Sequence, residues 1–189
     1  MTTERWPPVY DAKELATTIN KLVDSNQLKS HFFDYHSHDL GPCQGDIIWL
    51  ATNQIPVLDE IGQPSIYEDD FCSGYWMIVG NTCDIARNIN NVEWTQIIPL
   101  LDLGTDNEIN NNELAALMRY RHSRRFYVPA WSNEVSGHHF VADFLKPVTI
   151  HKTALFEVAE IKAKLSYYGW MLLHSCLVRF LARDDGRFD

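Results

Sequence analysis

The sequence lacks several features that would each point to a particular class. It has no C-x-x-C pair: Cys43, Cys72, Cys83 and Cys176 stand far apart, which suits reduced thiols in a cytosol better than a disulfide framework. It has no apolar run long enough to cross a bilayer, and Met1 to Tyr10 carries charged residues and prolines with no apolar stretch behind them. The expectation is therefore no membrane, no signal peptide and a cytoplasmic location. Positive charge is scarce, with 16 Lys and Arg against 25 Asp and Glu and a formal net charge of −9. A surface that grips nucleic acid indiscriminately works by basic residues displacing counterions, so any nucleic-acid contact here must be local. No internal repeat or low-complexity tract appears.

What is present reads as a folded chain. The 189 residues are 46% hydrophobic and 12% aromatic, with six Trp; that is enough to bury a core without metal or disulfide staples. The expected organisation is a single α+β domain over 1–189, with an N-terminal helix (11–29), a β-rich body (45–150) and C-terminal helices (153–183).

Apolar spacing assigns the elements. Asp11 can cap a helix whose Leu15, Ile19, Leu22 and Val23 recur on one side while Lys13, Glu14, Lys21 and Asp24 stay outside. After an irregular stretch from His31 to Gln44, short apolar runs at Gly45–Leu50, Ile55–Leu58, Tyr75–Val79 and Trp94–Leu101 predict strands, rich in the β-branched and aromatic residues that pleated surfaces favour. Residues 102–112 are polar and predict a loop, followed by a short helix from Glu113 to Tyr120 behind an Asn cap. Arg125–Val128 and Phe140–Phe144 predict further strands. From Thr153, the spacing of Leu155, Val158, Ile161 and Leu165 predicts a helix, and Ser166 can cap a last one running from Tyr167 to Arg183. The apolar residues of that last helix cover most of its circumference. One side would pack on the domain and another would be covered by a protein partner, a second copy of the chain, or the N-terminal helix.

Three pieces of the body share an order and spacing with a known family: Gly45-Asp46-Ile47-Ile48-Trp49, Tyr75-Trp76-Met77-Ile78-Val79-Gly80-Asn81 and Ile97-Ile98-Pro99-Leu100. Residues 45–103 in this respect resemble the SH3-like barrels of PemK and MazF type toxin endoribonucleases, and the resemblance implies a small antiparallel barrel or curved sheet. That family usually places a catalytic Arg before Pro at the start of the second conserved strand, where this chain has Gly74-Tyr75. It tends to place Thr or Ser after the later Pro, where this chain has Leu100. The resemblance therefore brings a fold expectation without the ribonuclease machinery.

Several clusters could carry chemistry. The segment Arg119-Tyr120-Arg121-His122-Ser123-Arg124-Arg125-Phe126-Tyr127 puts four of the nine arginines into seven residues among aromatics. Guanidinium forks pair with phosphate or carboxylate oxygens and aromatic rings offer stacking faces, so Arg119, Arg121, His122, Arg124, Arg125 and Tyr127, with Asn81, form a candidate binding set for an anionic ligand such as RNA or single-stranded nucleic acid. The competing reading is internal pairing with acidic loops such as Glu68-Asp69-Asp70. A second cluster, Gly80-Asn81-Thr82-Cys83-Asp84, follows a strong strand. Cys83 and Asp84 with His138 form a candidate thiol site, with His139 and Asp143 near His138 in sequence; the competing reading is a turn with Cys83 packed as a small hydrophobe. His31, His36, His38 and Cys43 lack a second pair at structural-zinc spacing, so no metal and no cofactor is assigned.

These readings converge on a nucleic-acid- or nucleotide-linked component of a bacterial or phage-related system. The rivals are a regulatory or antitoxin-like interaction subunit using the last helix, and a thiol enzyme built on Cys83.

Overall fold

The computed structural model of the chain describes residues 12–34, 41–50, 55–58, 63–67 and 74–182. Its strands are β1 (Ile47–Trp49), β2 (Ile55–Leu58), β3 (Pro64–Tyr67), β4 (Tyr75–Ile78), β5 (Trp94–Thr105), β6 (Arg125–Val128), β7 (His138–Asp143), β8 (Val148–His151) and β9 (Glu160–Ala163). The helices are α1 (Ala12–Asp24), α2 (Gln27–Ser30), α3 (Thr82–Ile85), α4 (Asn111–Met118) and α5 (Tyr167–Leu181). The α+β expectation holds.

Seven strands form an antiparallel sheet in the order β3-β2-β8-β5-β4-β1-β9, and its outer strands do not pair with each other among the described residues. The sheet is open. Its organiser is the 12-residue β5. Trp94 to Ile97 pair with β8, Leu100 to Thr105 pair with β7, and Ile97 to Pro99 pair on the opposite edge with β4. β7 and β8 thus act as one antiparallel partner of β5, broken at Phe144 to Pro147. β6 closes on β7 as a hairpin.

The near-continuous apolar runs arise because both faces of this sheet are covered. Side chains alternate along a strand, so Ile47, Met77 and Ile98 enter one core with Leu15 and Ile19 of α1, Leu117 of α4, and Leu172 and Leu173 of α5. Their neighbours Ile48, Trp76, Ile78 and Ile97 enter a second core with Ile85, Ile150 and Leu155.

Two helical expectations are corrected. The predicted 11–29 helix is two pieces, because Asn26 takes a left-handed φ of 56° between α1 and α2; the Asp11 cap lies outside the described residues. The predicted helix from Thr153 to Leu165 is a single wide π-helical turn at Ala154–Val158, with Phe156 and Val158 exposed, followed by the strand β9. The 3.6-residue spacing misleads there because β1 needs a second partner. Ile48 and Trp49 pair with Ile161 and Glu160, and tertiary pairing outweighs a weak local preference. The last helix agrees closely, and its Ser166 hydroxyl accepts from Gly169 N at 3.2 Å.

The Gly74-Tyr75 pair at the start of β4 has a packing reason. Gly74 is buried with φ 90°, and a Cβ there would run into the Trp49 ring, which itself packs edge-on to Tyr75 at 4.7 Å. Gly74→Ala combines a disfavoured backbone conformation with this clash. It is expected to lower stability by about 2 kcal/mol or more, measured as a shift in the urea midpoint at unchanged m-value.

Candidate functional site

The hairpin of β6 and β7 builds the most developed site. Tyr127 stands opposite Val141, and His139 lies two residues before Val141, on the same face and one diagonal step away. That spacing is within reach of long side chains, and Tyr127 Oη lies 2.9 Å from His139 Nδ1. On its other side, His139 Nε2 lies 2.8 Å from Asp106 Oδ1. A carboxylate only accepts, so Nε2 carries a proton and donates to Asp106; in the neutral imidazole Nδ1 then accepts from the Tyr127 hydroxyl. The result is a continuous chain, Tyr127 to His139 to Asp106.

The polar turn after β5 presents Asp106. Gly104 takes φ 87° and its N–H donates to Asp102 Oδ1 at 2.8 Å. Glu108 Oε2 accepts from Thr105 N at 2.7 Å and from its hydroxyl at 3.0 Å. Those two bonds hold the Glu108 carboxyl below the usual range. Because Thr105 pairs with His138, the turn lies beside the start of β7. His138 Nδ1 meets Asp102 Oδ2 at 2.9 Å.

Around this chain is a cleft of about 320 Å³, lined by Val23, Asn26 and Leu28 from α1 and α2, by Phe32, Met118 and Tyr120, and by Tyr127, Pro129, Ala130, Gly137, His138 and His139, with Asp106 at its edge. Tyr127 is 7% exposed, and burial together with the Asp106 charge pushes its hydroxyl up to about 12. It is a neutral hydrogen-bonding group across the physiological range. The Tyr120 hydroxyl donates to the Tyr127 carbonyl at 3.1 Å, and burial drives its own ionisation far above the ordinary value. Asn26 and Tyr120, with φ of 56° and 52°, are the two non-glycine residues with left-handed backbone among those described, and both line the cleft. Such strain persists only where surroundings impose it. At Tyr120 the clamp is Arg179 of α5, which donates to the Tyr120 carbonyl at 2.6 Å.

The arginine-rich segment is mostly engaged with the protein itself. Arg119 donates to Asn20 at 3.1 Å and to Asp24 at 2.7 Å, Arg124 pairs with Asp143 at 3.1 Å and Arg125 with Glu113 at 3.2 Å. Arg121 is exposed. The carboxylates that pair with this segment are Asp24, Glu113 and Asp143; Glu68-Asp69-Asp70, the partner expected from sequence, lies outside the described residues. His122 Nε2 is buried without a hydrogen-bond partner among the described residues.

The Cys83 arrangement is not assembled. Asn81 caps α3, its side chain accepting from Cys83 N at 2.8 Å, and Asp84 pairs with Arg87 at 3.2 Å. Cys83 is exposed rather than packed as a small hydrophobe, since a one-turn helix on the surface leaves its second residue outward. β4 ends at Ile78, opposite Ile97, whereas His138 stands opposite Thr105; eight residues of β5 separate them by roughly 25 Å. Asp143, the third member, is bound to Arg124. His36 and His38 lie outside the described residues, and His31 bonds to Ser30 Oγ and the Gln27 carbonyl. No cluster able to hold a metal occurs among the described residues.

Of the predicted site residues, Tyr127 and His138 meet in the cleft. His139 was legible only as a neighbour of His138, while Asp106 and Tyr120 were missed as site residues. Asp106 looks like any residue of a polar loop, and only the β5–β7 register carries it to His139.

A second, smaller pocket of about 190 Å³ is lined by Cys43, Gln44, Asp46, Thr82 and Lys164 to Tyr167, with Trp170. Lys164, whose side chain is 8% exposed, donates from Nζ to Asp46 Oδ2 at 2.7 Å and to the Gly41 carbonyl at 2.9 Å. Burial raises the Cys43 thiol, and the Asp46 charge adds to it, so Cys43 is not an activated thiolate. No helix among the described residues is long and apolar enough to cross a membrane. Comparison with protein-family models, curated proteins and solved structures finds no match.

Proposed function

We propose that the chain is a small-molecule-binding domain whose cleft, between α1–α2 and the β6–β7 hairpin, takes a compact ligand with an apolar body and at least one hydrogen-bond donor. The observation that carries this reading is the Tyr127–His139–Asp106 chain set in a wall that also carries Val23, Leu28, Phe32, Met118 and Ala130. Buried polar groups cost free energy unless they have a partner. A line of three, oriented from an exposed carboxylate to a buried hydroxyl, is a device for fixing a polar group of a ligand. The Tyr127 oxygen accepts from a ligand donor while its own proton goes to His139.

The test fills the cleft. Fragment-sized aromatic compounds are expected to show line broadening in ligand-observed NMR with the wild-type protein, and Ala130→Phe is expected to abolish it without loss of fold by circular dichroism. Tyr127→Phe is expected to weaken hydrogen-bonding fragments by about fivefold to tenfold, the worth of one net hydrogen bond, and to leave purely apolar ones unchanged. Fragment binding that survives Ala130→Phe would remove the cleft from consideration.

The anionic-ligand reading of Arg119 to Tyr127 has less support, because Arg119, Arg124 and Arg125 already face carboxylates. A protein partner on the outer side of α5 is a separate proposal. Tyr167 and Leu181 there are 68% and 77% exposed, and the mass in solution as a function of concentration tests self-association. A cytoplasmic setting belongs to the same proposal and fits the free thiols Cys43, Cys83 and Cys176.

A further inference from the structure

The charge around the cleft is one-sided. Among the described residues that line it there is no Lys or Arg, and its one carboxylate, Asp106, uses Oδ1 for His139. Asp106 Oδ2 has no hydrogen-bond partner among the described residues, and the side chain is 79% exposed at the cleft edge. Two further carboxylates stand in the same segment: Asp102, which meets His138, and Glu108, which is tied to Thr105 and kept ionised by it. Arg119, next in sequence to Tyr120, is turned to Asn20 and Asp24 and does not offset them.

The inner wall is aromatic. Phe32, Tyr120 and Tyr127 line it, and aromatic faces attract cations while offering nothing to a carboxylate or phosphate. An anion entering the cleft would meet Asp106 with no Lys or Arg to compensate, and the two histidines of the wall already face carboxylates. An ammonium group would meet the free Asp106 oxygen at the edge, with its carbon body against the rings.

Resting on the ligand-binding reading above, we infer that the cleft selects a small amine: an aromatic or aliphatic body carrying a protonated amino group directed at Asp106. This reverses the ligand charge that the arginine-rich segment led one to expect from sequence.

Three probes of similar shape and different charge test it: phenethylamine, phenethyl alcohol and phenylacetate, titrated at one pH and ionic strength and followed by backbone amide shifts of residues 127–139. Phenethylamine is expected to bind at least about fivefold more tightly than phenylacetate, the near-water Coulomb limit for one charge at contact distance. Added salt should narrow that ratio. Asp106→Asn should bring the two probes to similar affinity; the residue sits on an exposed turn, so the fold is expected to survive. Phenylacetate binding as tightly as the amine, or a ratio unmoved by Asp106→Asn, would overturn the amine assignment and leave the cleft reading standing. Absence of shifts with all three probes would overturn both.

Discussion

Replacing Lys152 by methionine is expected to destabilise the protein by about 3 kcal/mol, the cost of leaving the Ile85 and Arg87 carbonyls without their donor. Lys152 is fully buried. Its ammonium group donates to the carbonyls of Asp84 at 3.0 Å, Ile85 at 3.2 Å and Arg87 at 2.7 Å. These carbonyls lie in and just after the single turn of α3; that of Asp84 also accepts from Arg87 N–H at 3.3 Å, while those of Ile85 and Arg87 are the orphan acceptors of the helix end. The ammonium satisfies all three at once and joins α3 to the end of β8. Methionine keeps the apolar stem but supplies no donor. Removing a buried charge relieves some desolvation, yet the carbonyls remain, so the loss dominates. The urea midpoint should fall markedly and amide exchange over residues 82–91 should quicken first. Stability within about 0.5 kcal/mol of wild type, the usual range for an uninvolved surface position, would show that water replaces the ammonium and that Lys152 has no such role.

Lys164→Met is the second large effect. Lys164 and Asp46 form a buried pair, 8% and 3% exposed at their side chains, and removing one partner strands the other. A loss of about 3–5 kcal/mol is expected for such a break. Burial raises the Asp46 carboxyl above its ordinary value of 3.8, with the hydrogen bond from Lys164 as the largest opposing influence. A raised folded value means that the folded state holds the proton more tightly than the unfolded state. Asp46 therefore carries no penalty below its unfolded value, and the penalty grows as pH rises through the folded one. Without Lys164 that window widens upward, so the deficit of the variant relative to wild type should shrink as the pH is lowered from 7 toward 4. The double variant Asp46→Leu with Lys164→Met should recover most of the loss, because no uncompensated charge remains. A deficit that grows on acidification, or a double variant as unstable as the single one, would contradict this account.

The strands of the central sheet were legible in sequence because they are buried on both faces. Residues 47–50, 75–78 and 94–101 are apolar at nearly every position, and no register error can hide a run of that kind. α4 and α5 were legible for a local reason too, since Asn110 and Ser166 each place a side-chain acceptor on the N–H groups of the following turn. β9 was not legible. Its residues satisfy a helical spacing, and its strand state depends on pairing with β1 more than 110 residues earlier.

The site divides in the same way. Composition alone determined the net acidic charge of −9 and the apolar and aromatic content available for a core, because those follow from counts of side chains and not from their positions. The pairing of Arg119, Arg124 and Arg125 with Asp24, Asp143 and Glu113, the separation of Cys83 from His138, and the meeting of Tyr127, His139 and Asp106 were decided by tertiary structure. A strand register and a glycine-shaped turn bring into hydrogen-bonding contact groups that lie 12 and 33 residues apart, and no local pattern encodes which loop carboxylate will face which imidazole.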